Sequence, residues 1–263
     1  MIDQNRRTAS ETVQPPIANA IAVASGKGGV GKTWLAITLA HAMAKLGRRV
    51  VLIDGDLGLA NVDIQLGLAP EIDLAHVLDQ NVALSAAAIR HAPTGIDIVA
   101  GRSGAGTLAL LPVTRLTALG AGLARLADDY DRAIIDLGAG IDRPVRFLAT
   151  LSWRTLVVTN DEPTSLTDAY ALVKLLIQGG ALTNIGVAIN MATSKAEGER
   201  TYKTLAKACE SFLGVVPPLL GVIRRDPKVR ESIRAQSPLL ARFPNCDAAE
   251  DVTTLAQRLA QSS

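Results

Sequence analysis

A glycine-rich stretch containing two lysines carries the clearest chemical signal in the chain. Residues 26–33 read GKGGVGKT, which fits the phosphate-binding pattern G-x-x-x-x-G-K-[ST]. In such a loop, backbone N–H groups and the N-terminus of the following helix point at phosphate oxygens, and here they would come from Gly28, Gly29, Val30 and Gly31. We expect Lys32 to reach the β- and γ-phosphates of a nucleoside triphosphate and the Thr33 hydroxyl to bind Mg²⁺.

Carboxylates that could serve the same site follow two apolar runs. The segment RAIIDLGAG places Asp136 after such a run, and VVLIDGDLGLANVD places Asp54 and Asp56 after another. Ligands of parallel sheets bind beyond the carboxyl ends of the strands, where these side chains would converge. We expect Asp136 to hold Mg²⁺ through water and Asp56 to orient the attacking water. Asp54 could join them or could cap and support the turn, and the sequence leaves both options open.

Strands and helices must hold these residues in place, and the chain alternates between the two. Short apolar runs, typical of strands covered on both faces, predict strands over 20–25, 49–54, 96–101, 132–137, 155–160, 185–190 and 219–223. Ala- and Leu-rich stretches predict helices over 32–46, 74–79, 83–90, 113–128, 142–150, 165–178, 198–212, 227–235 and 248–260. This alternation predicts an α/β fold, a single three-layer α/β/α P-loop NTPase domain with a mostly parallel central sheet.

Length and composition set the limits of this interpretation. The chain has 263 residues, of which 48% are hydrophobic, enough for a substantial core. Its net charge of +2 is too small to indicate a nucleic-acid partner by itself. Cys209 and Cys246, with no CxxC pair, argue against a disulfide scaffold and a cysteine-ligated metal site within one chain.

The polar start of the chain differs from the remainder. Residues 1–16 are interpreted as a flexible N-terminal leader, and residues 17–263 as the P-loop domain, ending in a C-terminal helix. The start lacks the apolar core of a signal peptide, and no stretch has the apolar length of a membrane span. We therefore expect a cytoplasmic protein, with a peripheral position at the inner membrane or the cell pole as a further option.

The first lysine gives the loop a more specific resemblance. With Lys27, the pattern KGGVGKT resembles the MinD/ParA family of deviant-Walker ATPases, and the likeness extends from residue 20 to about 245. In that family the first lysine reaches across a nucleotide-sandwich dimer to phosphates held by the other subunit. The resemblance thus implies an ATPase that uses ATP and Mg²⁺ and forms an ATP-dependent homodimer, in which a cation supplied in trans reduces repulsion between phosphate-loaded faces.

Three segments are most similar to the FlhG/FleN flagellar-number regulators within that family. They are IDGDLGLANVDIQLGL, DLAHVL and TNDEPTSLTDAYALVKLL. The resemblance assigns catalysis to Asp56 together with Lys27 and Lys32, and the metal site to Thr33, Asp56 and Asp136. It also implies that 138–140 sense the γ-phosphate, that Asn190 reads the adenine edge, and that a lid from Arg224 to Asp226 closes over the base.

Three departures from the family pattern affect these expectations. Trp34 replaces the small or polar residue usual after the loop threonine, and could crowd the dimer face or stack on a neighbour. The segment DLGAG stands where DTAAG or DSPAG is usual, which removes a hydroxyl or a proline from the switch loop. The activating N-terminal motif of FlhG is only partly matched by residues 3–7, which weakens the link to a partner GTPase.

Two surfaces raise the question of other partners. Val252, Leu255 and Leu259 form one apolar stripe on the C-terminal helix, which favours a packing helix over a membrane-binding one because no aromatic residue anchors it. The segment IRRDPKVRESIR contains two carboxylates and five cations that could bind DNA non-specifically. The cations are Arg224, Arg225, Lys228, Arg230 and Arg234.

Three functions are consistent with the sequence. The leading one is an ATP-hydrolysing dimerisation switch that regulates flagellar number or placement, as a spatial regulator or antiactivator acting on a flagellar regulator or assembly factor. The second is a ParA-like partition or positioning ATPase associated with DNA. The third is a regulatory binding module that holds nucleotide with little turnover, an option that the altered DLGAG loop leaves open.

Overall fold

A computed structural model describes residues 15–80, 82–102, 111–180 and 184–261. Most of the predicted leader, residues 1–14, lies outside the described residues, as does the partial N-terminal motif at 3–7. The strands are β1 (Ile17–Ser25), β2 (Val50–Gly55), β3 (Ala88–His91), β4 (Ile96–Val99), β5 (Arg132–Ala139), β6 (Ser152–Thr159), β7 (Ile185–Ala192) and β8 (Leu219–Arg224).

Helices connect these strands. They are α1 (Lys32–Lys45), α2 (Val62–Leu66), α3 (Leu74–Gln80), α4 (Val113–Ala127), α5 (Arg143–Leu151), α6 (Pro163–Gln178), α7 (Lys195–Leu213), α8 (Pro227–Arg234), α9 (Leu239–Arg242) and α10 (Asp247–Gln261). The predicted helices match the observed ones to within about three residues at each end, except at 83–90. The short helices α2 and α9 were not predicted.

All described strands form one sheet in the order β3-β4-β2-β5-β1-β6-β7-β8. Every neighbouring pair is parallel except β3 and β4, which are antiparallel. Successive side chains of a strand point to opposite faces, so Val51 and Ile53 enter one apolar core while Val50 and Leu52 enter the other. The expected single α/β domain with three layers and a mostly parallel sheet is confirmed.

The segment predicted as a helix at 83–90 is different, and that prediction was wrong. Residues Leu84–Ala87 form one 3₁₀ turn, and Ala88–His91 then form strand β3. Ala88 pairs with Val99 and His91 pairs with Ile96, so β3 and β4 form a hairpin that turns at Gly95 with φ of 67°. The apolar pairing surface of β4 overrides the helical preference of the alanines, because strand formation depends on tertiary context.

The C-terminal helix α10 packs on α1 and β8. Its apolar stripe of Val252, Leu255 and Leu259 is fully buried in the core, as expected of a packing helix. In this conformation the stripe is not available to a lipid surface. Among the described residues, no helix has the length and hydropathy needed to cross a membrane.

Both edges of the sheet carry cationic side chains. At one edge, Arg90 of β3 is exposed and its Nη1 lies 3.3 Å from Asp97 Oδ1 of β4. At the other edge, Arg258 donates to the carbonyl oxygens of Leu219 and Leu220, and Lys195 donates to that of Val222. Cations on edge strands discourage pairing with a further strand.

Candidate nucleotide site

The glycine-rich loop lies where β1 ends and α1 begins, at the carboxyl end of the sheet. Two glycines carry its tightest constraints. A Cβ on Gly26 would lie 2.2 Å from the carbonyl oxygen of Asp168 in α6, so the loop can approach that helix only without a side chain. Gly31 has φ of 83°, and a Cβ there would lie 2.5 Å from Asn190 Nδ2. The loop is therefore fitted between α6 and the end of β7.

An open cleft of about 1360 Å³ lies beside this loop. The predicted loop residues that line it are Gly28, Gly29, Val30, Gly31, Lys32 and Thr33. Other predicted site residues on its wall are Asp56, Asn190, Arg224 and Asp226. The structure thus brings together most of the residues that the sequence assigned to nucleotide binding, although they come from widely separated parts of the chain.

Lys32 and Asp136 form a buried ion pair beneath the loop. The distance from Lys32 Nζ to Asp136 Oδ1 is 2.8 Å, and the two side chains are only 7% and 1% exposed. Burial raises the pKa of Asp136, whereas the charge of Lys32 and hydrogen bonds from Lys32 and Thr33 act in the opposite direction. Lys32 thus neutralises the carboxylate predicted to serve the metal.

The second oxygen of that carboxylate indicates what the site can hold. Asp136 Oδ2 is buried and has no hydrogen-bond partner among the described residues, although a buried acceptor normally has one. The Thr33 side chain lies near the same carboxylate and acts to lower its pKa. Oxygen ligands of this kind suit Mg²⁺, and the adjacent loop and Lys32 suit phosphate. The residues present therefore fit ATP and Mg²⁺.

Asp54 and Asp56 have different roles, which the sequence alone left open. Asp54 is completely buried and accepts hydrogen bonds from the backbone N–H groups of Asp56, Asn61 and Val62, so it supports the turn. Burial and the charge of Asp136 raise the pKa of Asp54 to about 7. Asp56 lines the cleft, and its Oδ1 accepts from the N–H groups of Gly58 and Leu59.

Lys27 rests against Glu162, a residue that lines the cleft, and not against Asp136 as Lys32 does. The Nζ of Lys27 lies 2.5 Å from Glu162 Oε2 and 2.8 Å from Thr164 Oγ1, where α6 begins, and Lys27 is not among the described residues that line the cleft. Sequence reasoning missed both partners. The segment TNDEPTS, which contains them, was noted as family-specific, and that was the available signal.

Asn190 connects the end of β7 to the glycine-rich loop. Its Nδ2 donates to the carbonyl oxygen of Val30 at 2.7 Å, and the side chain is buried. The next residue, Met191, adopts a left-handed φ of 59°, which is uncommon for a non-glycine residue. Asn190 thus holds the loop in place, and its expected contact with adenine stays a prediction.

The proposed base lid begins with two residues that already have structural partners. The Arg224 guanidinium bonds Asp251 and Asp247, and Asp226 accepts from the N–H group of Lys228 at the start of α8. The hydrogen bonds that Arg224 donates to Asp251 are the main cause of the raised pKa of Arg224. Both residues lie on the cleft wall, and closure over a base stays a prediction.

The predicted cationic segment around α8 is divided between two roles. Arg224 is engaged by carboxylates, and Lys228 pairs with Glu231 while lying over the Phe243 ring. The remaining cations line the cleft and form no ion pair with another described residue: Arg225, Arg230 and Arg234. The surface that could meet DNA is therefore smaller than the sequence suggests.

Trp34 and the DLGAG segment both depart from the family pattern, and both lie close to the cleft. Trp34 is buried in the core, and its Nε1 has no hydrogen-bond partner among the described residues. It also lines the cleft, so it neither projects freely nor stacks on another described ring. In the DLGAG segment, β5 continues to Ala139, the N–H of Gly140 bonds the Ser25 carbonyl, and a Cβ on Gly138 would lie 3.3 Å from Asp56 Oδ1.

Comparison with known proteins places this geometry in a family. The chain is 39% identical over 239 residues to the antiactivator FleN of Pseudomonas aeruginosa, covering 91% of this chain and 85% of that protein. It is 28% identical over 226 residues to the flagellum site-determining protein YlxH of Helicobacter pylori, covering 86% and 76% respectively.

Two solved structures share the fold. The cell division ATPase MinD of Pyrococcus furiosus matches with a TM-score of 0.78 and 25% identity, covering 94% of this chain and all of that one. The septum site-determining protein MinD of Pyrococcus horikoshii, complexed with Mg-ADP, matches with a TM-score of 0.76 and 26% identity, covering 92% and 95%. Residues 21–239 match the profile described as CobQ/CobB/MinD/ParA nucleotide binding domain, and the chain belongs to that family of nucleotide-binding proteins and ATPases.

Proposed function

We propose that this chain is an ATP-hydrolysing dimerisation switch that regulates the number or placement of flagella. ATP joins two copies, and hydrolysis separates them, so that a protein partner meets the paired surface only while ATP is bound. Similarity to the antiactivator FleN and to the flagellum site-determining protein YlxH supports the flagellar role. A flagellar regulator or assembly factor is the kind of partner that this role requires.

The observation that carries the proposal is the separation of the two lysines. Lys32 lies in the cleft against Asp136, in position to meet the phosphates of its own chain. Lys27 is held at the start of α6 by the exposed carboxylate of Glu162, a residue at the edge of that cleft. An exposed pair of this kind is weak, so Lys27 can be released to meet phosphates on a second copy.

Each residue of the proposed site has a distinct chemical role. Lys32, and Lys27 from the second copy, compensate charge on the transferred phosphate, which is the main catalytic requirement of phosphoryl transfer. Asp56 accepts a hydrogen bond from the attacking water and orients it. Asp136 and the Thr33 hydroxyl would hold Mg²⁺, which would supply positive charge to offset that of the phosphates.

Molar mass in solution tests this function. Light scattering with Mg²⁺ and a non-hydrolysable ATP analogue should give a dimer for the wild-type chain, and with ADP a monomer. Lys27→Ala should stay monomeric with the analogue while retaining its affinity for ADP. Lys203→Ala, which removes an exposed lysine of α7, is the matched control and should dimerise. A monomeric wild type, or a Lys27→Ala dimer of normal affinity, would contradict the proposal.

Non-specific DNA binding is the second candidate, favoured by three arginines that line the cleft and form no ion pair with another described residue: Arg225, Arg230 and Arg234. Binding through phosphates weakens steeply as salt concentration rises, because condensed counterions are released. ATP-dependent binding to arbitrary duplex at low salt, lost at higher salt and lost in Arg230→Ala, would support this candidate. The absence of a mobility shift at low salt would exclude it.

A further inference from the structure

The C-terminal helix α10 contains a buried carboxylate that lies outside the nucleotide cleft. Asp251 is only 5% exposed, and the other described residues of α10 that are buried are apolar. Asp251 is not among the described residues that line the cleft. Burying a carboxylate costs free energy unless cations and hydrogen-bond donors compensate for the lost water. The partners of Asp251 therefore indicate what this residue does.

Both oxygens of Asp251 are engaged by cations from other elements. Oδ2 accepts from the backbone N–H and from Nε of Arg224, each at 2.9 Å, and Oδ1 accepts from Arg224 Nη2 at 2.9 Å. Lys195 Nζ, at the start of α7, lies 2.6 Å from Oδ1. Burial acts to raise the pKa of Asp251, but the hydrogen bonds from Arg224 and Lys195 outweigh it and lower that pKa. An ionised Asp251 thus joins α10 to the end of β8 and the start of α7.

The residues that follow β8 have further connections within the chain. Asp226 Oδ1 accepts from the N–H of Lys228 at 2.9 Å, and Asp226 Oδ2 accepts from the N–H of Ala248 in α10 at 3.3 Å. On the other side, the N–H of Arg225 donates to the carbonyl oxygen of Ala192, the last residue of β7, at 2.8 Å. The chain after β8 is therefore fixed between α10 and β7.

The same residues form one wall of the nucleotide cleft. Residues 224–227 line it, as does Asn190 of β7. The glycine-rich loop and Lys32 suit phosphates, so the nucleoside must meet another part of the lining. The Asn190 amide can donate to and accept from a base edge, and the ring of Pro227 offers an apolar surface. We call Asn190 and residues 224–227 the nucleoside wall.

We propose that Asp251 is a positioning residue for nucleotide binding, which acts through Arg224 and holds the nucleoside wall in place. The guanidinium of Arg224 is occupied by Asp251 and Asp247, so Arg224 anchors this wall and is not a donor to the base. A wall that is fixed in advance lowers the free-energy cost of binding, because the nucleotide need not order it. The proposal concerns nucleotide binding by a single copy and is independent of dimerisation.

Calorimetric titration of the full chain with two ligands tests this role. Mg-ADP carries a diphosphate and a nucleoside, whereas Mg-pyrophosphate carries the diphosphate alone. Asp251→Asn should weaken ADP binding at least about tenfold and should change pyrophosphate affinity by less than about twofold, because only the nucleoside wall loses its anchor. Glu250→Gln is the matched control on α10, since Glu250 is 61% exposed and lies 3.5 Å from Arg224 Nη2; both affinities should stay unchanged.

Preference for the base separates positioning from a general effect on stability. The wild type should bind ADP more tightly than GDP, and Asp251→Asn should reduce this preference. Lys195→Gln removes the other cation from the same carboxylate and should weaken ADP binding about threefold with pyrophosphate affinity unchanged, which decides the matter if Asp251→Asn does not fold. Equal losses for ADP and pyrophosphate, unchanged affinities in both variants, or a wild type indifferent to the base would overturn the proposal.

Discussion

The ammonium group of Lys27 lies 2.5 Å from Oε2 of Glu162, and Glu162 is the residue that precedes helix α6. Hydrogen bonds from Lys27 and from Asn160 lower the pKa of Glu162, so the carboxylate is fully ionised at neutral pH. The lysine that we assign to a second copy is thus held within its own chain. Dimerisation must break this contact before Lys27 can reach a phosphate.

Glu162→Gln should release Lys27 and strengthen ATP-dependent dimerisation. Exposed ion pairs contribute little, so we expect the dimer dissociation constant to fall only about two- to fivefold. The difference should shrink as ionic strength rises, because salt screens the broken pair. Sedimentation at low and high salt measures both effects, with Glu199→Gln on α7 as the control. A weaker dimer in Glu162→Gln would mean that Glu162 contributes to the interface.

Two substitutions at Asp56 should separate its roles in hydrolysis and in holding the turn. Asp56→Asn keeps an oxygen for the N–H groups of Gly58 and Leu59 but cannot act as a carboxylate toward water. It should lower turnover at least a hundredfold and trap ATP dimers. Asp56→Ala should lower turnover equally and also trap ATP dimers, but its dimer should be weaker than that of Asp56→Asn, because the N–H groups of Gly58 and Leu59 lose their acceptor beside the cleft. Phosphate release and light scattering measure the two quantities.

Full hydrolysis by both Asp56 variants would contradict the catalytic assignment. A wild type with negligible turnover, alone and with its flagellar partner, would favour the third function, a regulatory module that binds nucleotide without consuming it. The altered DLGAG loop, which passes close to Asp56, is the place where such a loss of turnover would arise.

The ion pair between Lys32 and Asp136 should make the loop lysine important for folding as well as for binding. Lys32→Met leaves a buried carboxylate without its cation, which typically costs about 3–5 kcal/mol. Adding Asp136→Asn should recover a large part of this loss, and urea unfolding without nucleotide measures both. Lys27→Met is the control and should leave stability nearly unchanged, since its ion pair is exposed. Additive effects in the double variant would exclude the pair as the cause.

A pair of glycine substitutions tests the close approach of α6 to the loop. Gly26→Ala puts a methyl group 2.2 Å from the Asp168 carbonyl oxygen, so backbone must move, and we expect a loss of at least about 2 kcal/mol. Gly28→Ala meets its nearest atom only at 3.9 Å and should change the stability of the nucleotide-free chain by less than about 1 kcal/mol. Equal losses in urea unfolding would indicate that loop flexibility, not the contact, matters.

The sequence predicted most of the sheet because its strands are apolar on both faces and are separated by long helices. The strand prediction failed at β3, because the residues Ala88-Ile89-Arg90-His91 have no clear hydrophobic periodicity. They become a strand only by pairing with β4. The sequence also could not assign Asp54, because two carboxylates two residues apart look alike until one is buried.

The partner of Lys27 could not be predicted for a different reason. Glu162 is 135 residues away along the chain, and only the fold brings the two together. Motif spacing identifies residues that act within one loop. It does not show where a long, flexible side chain rests when its proposed ligand is absent.

The cationic side chains along the sheet margins bear on how copies of this chain can associate. Arg258 and Lys195 already occupy carbonyl oxygens of β8, and β3 at the opposite margin is only four residues long and carries Arg90. Growth into a filament by adding strands would have to displace these donors. These donors therefore disfavour association by strand addition, whereas the pair that we propose would form through side chains and could be made and unmade by a bound ligand.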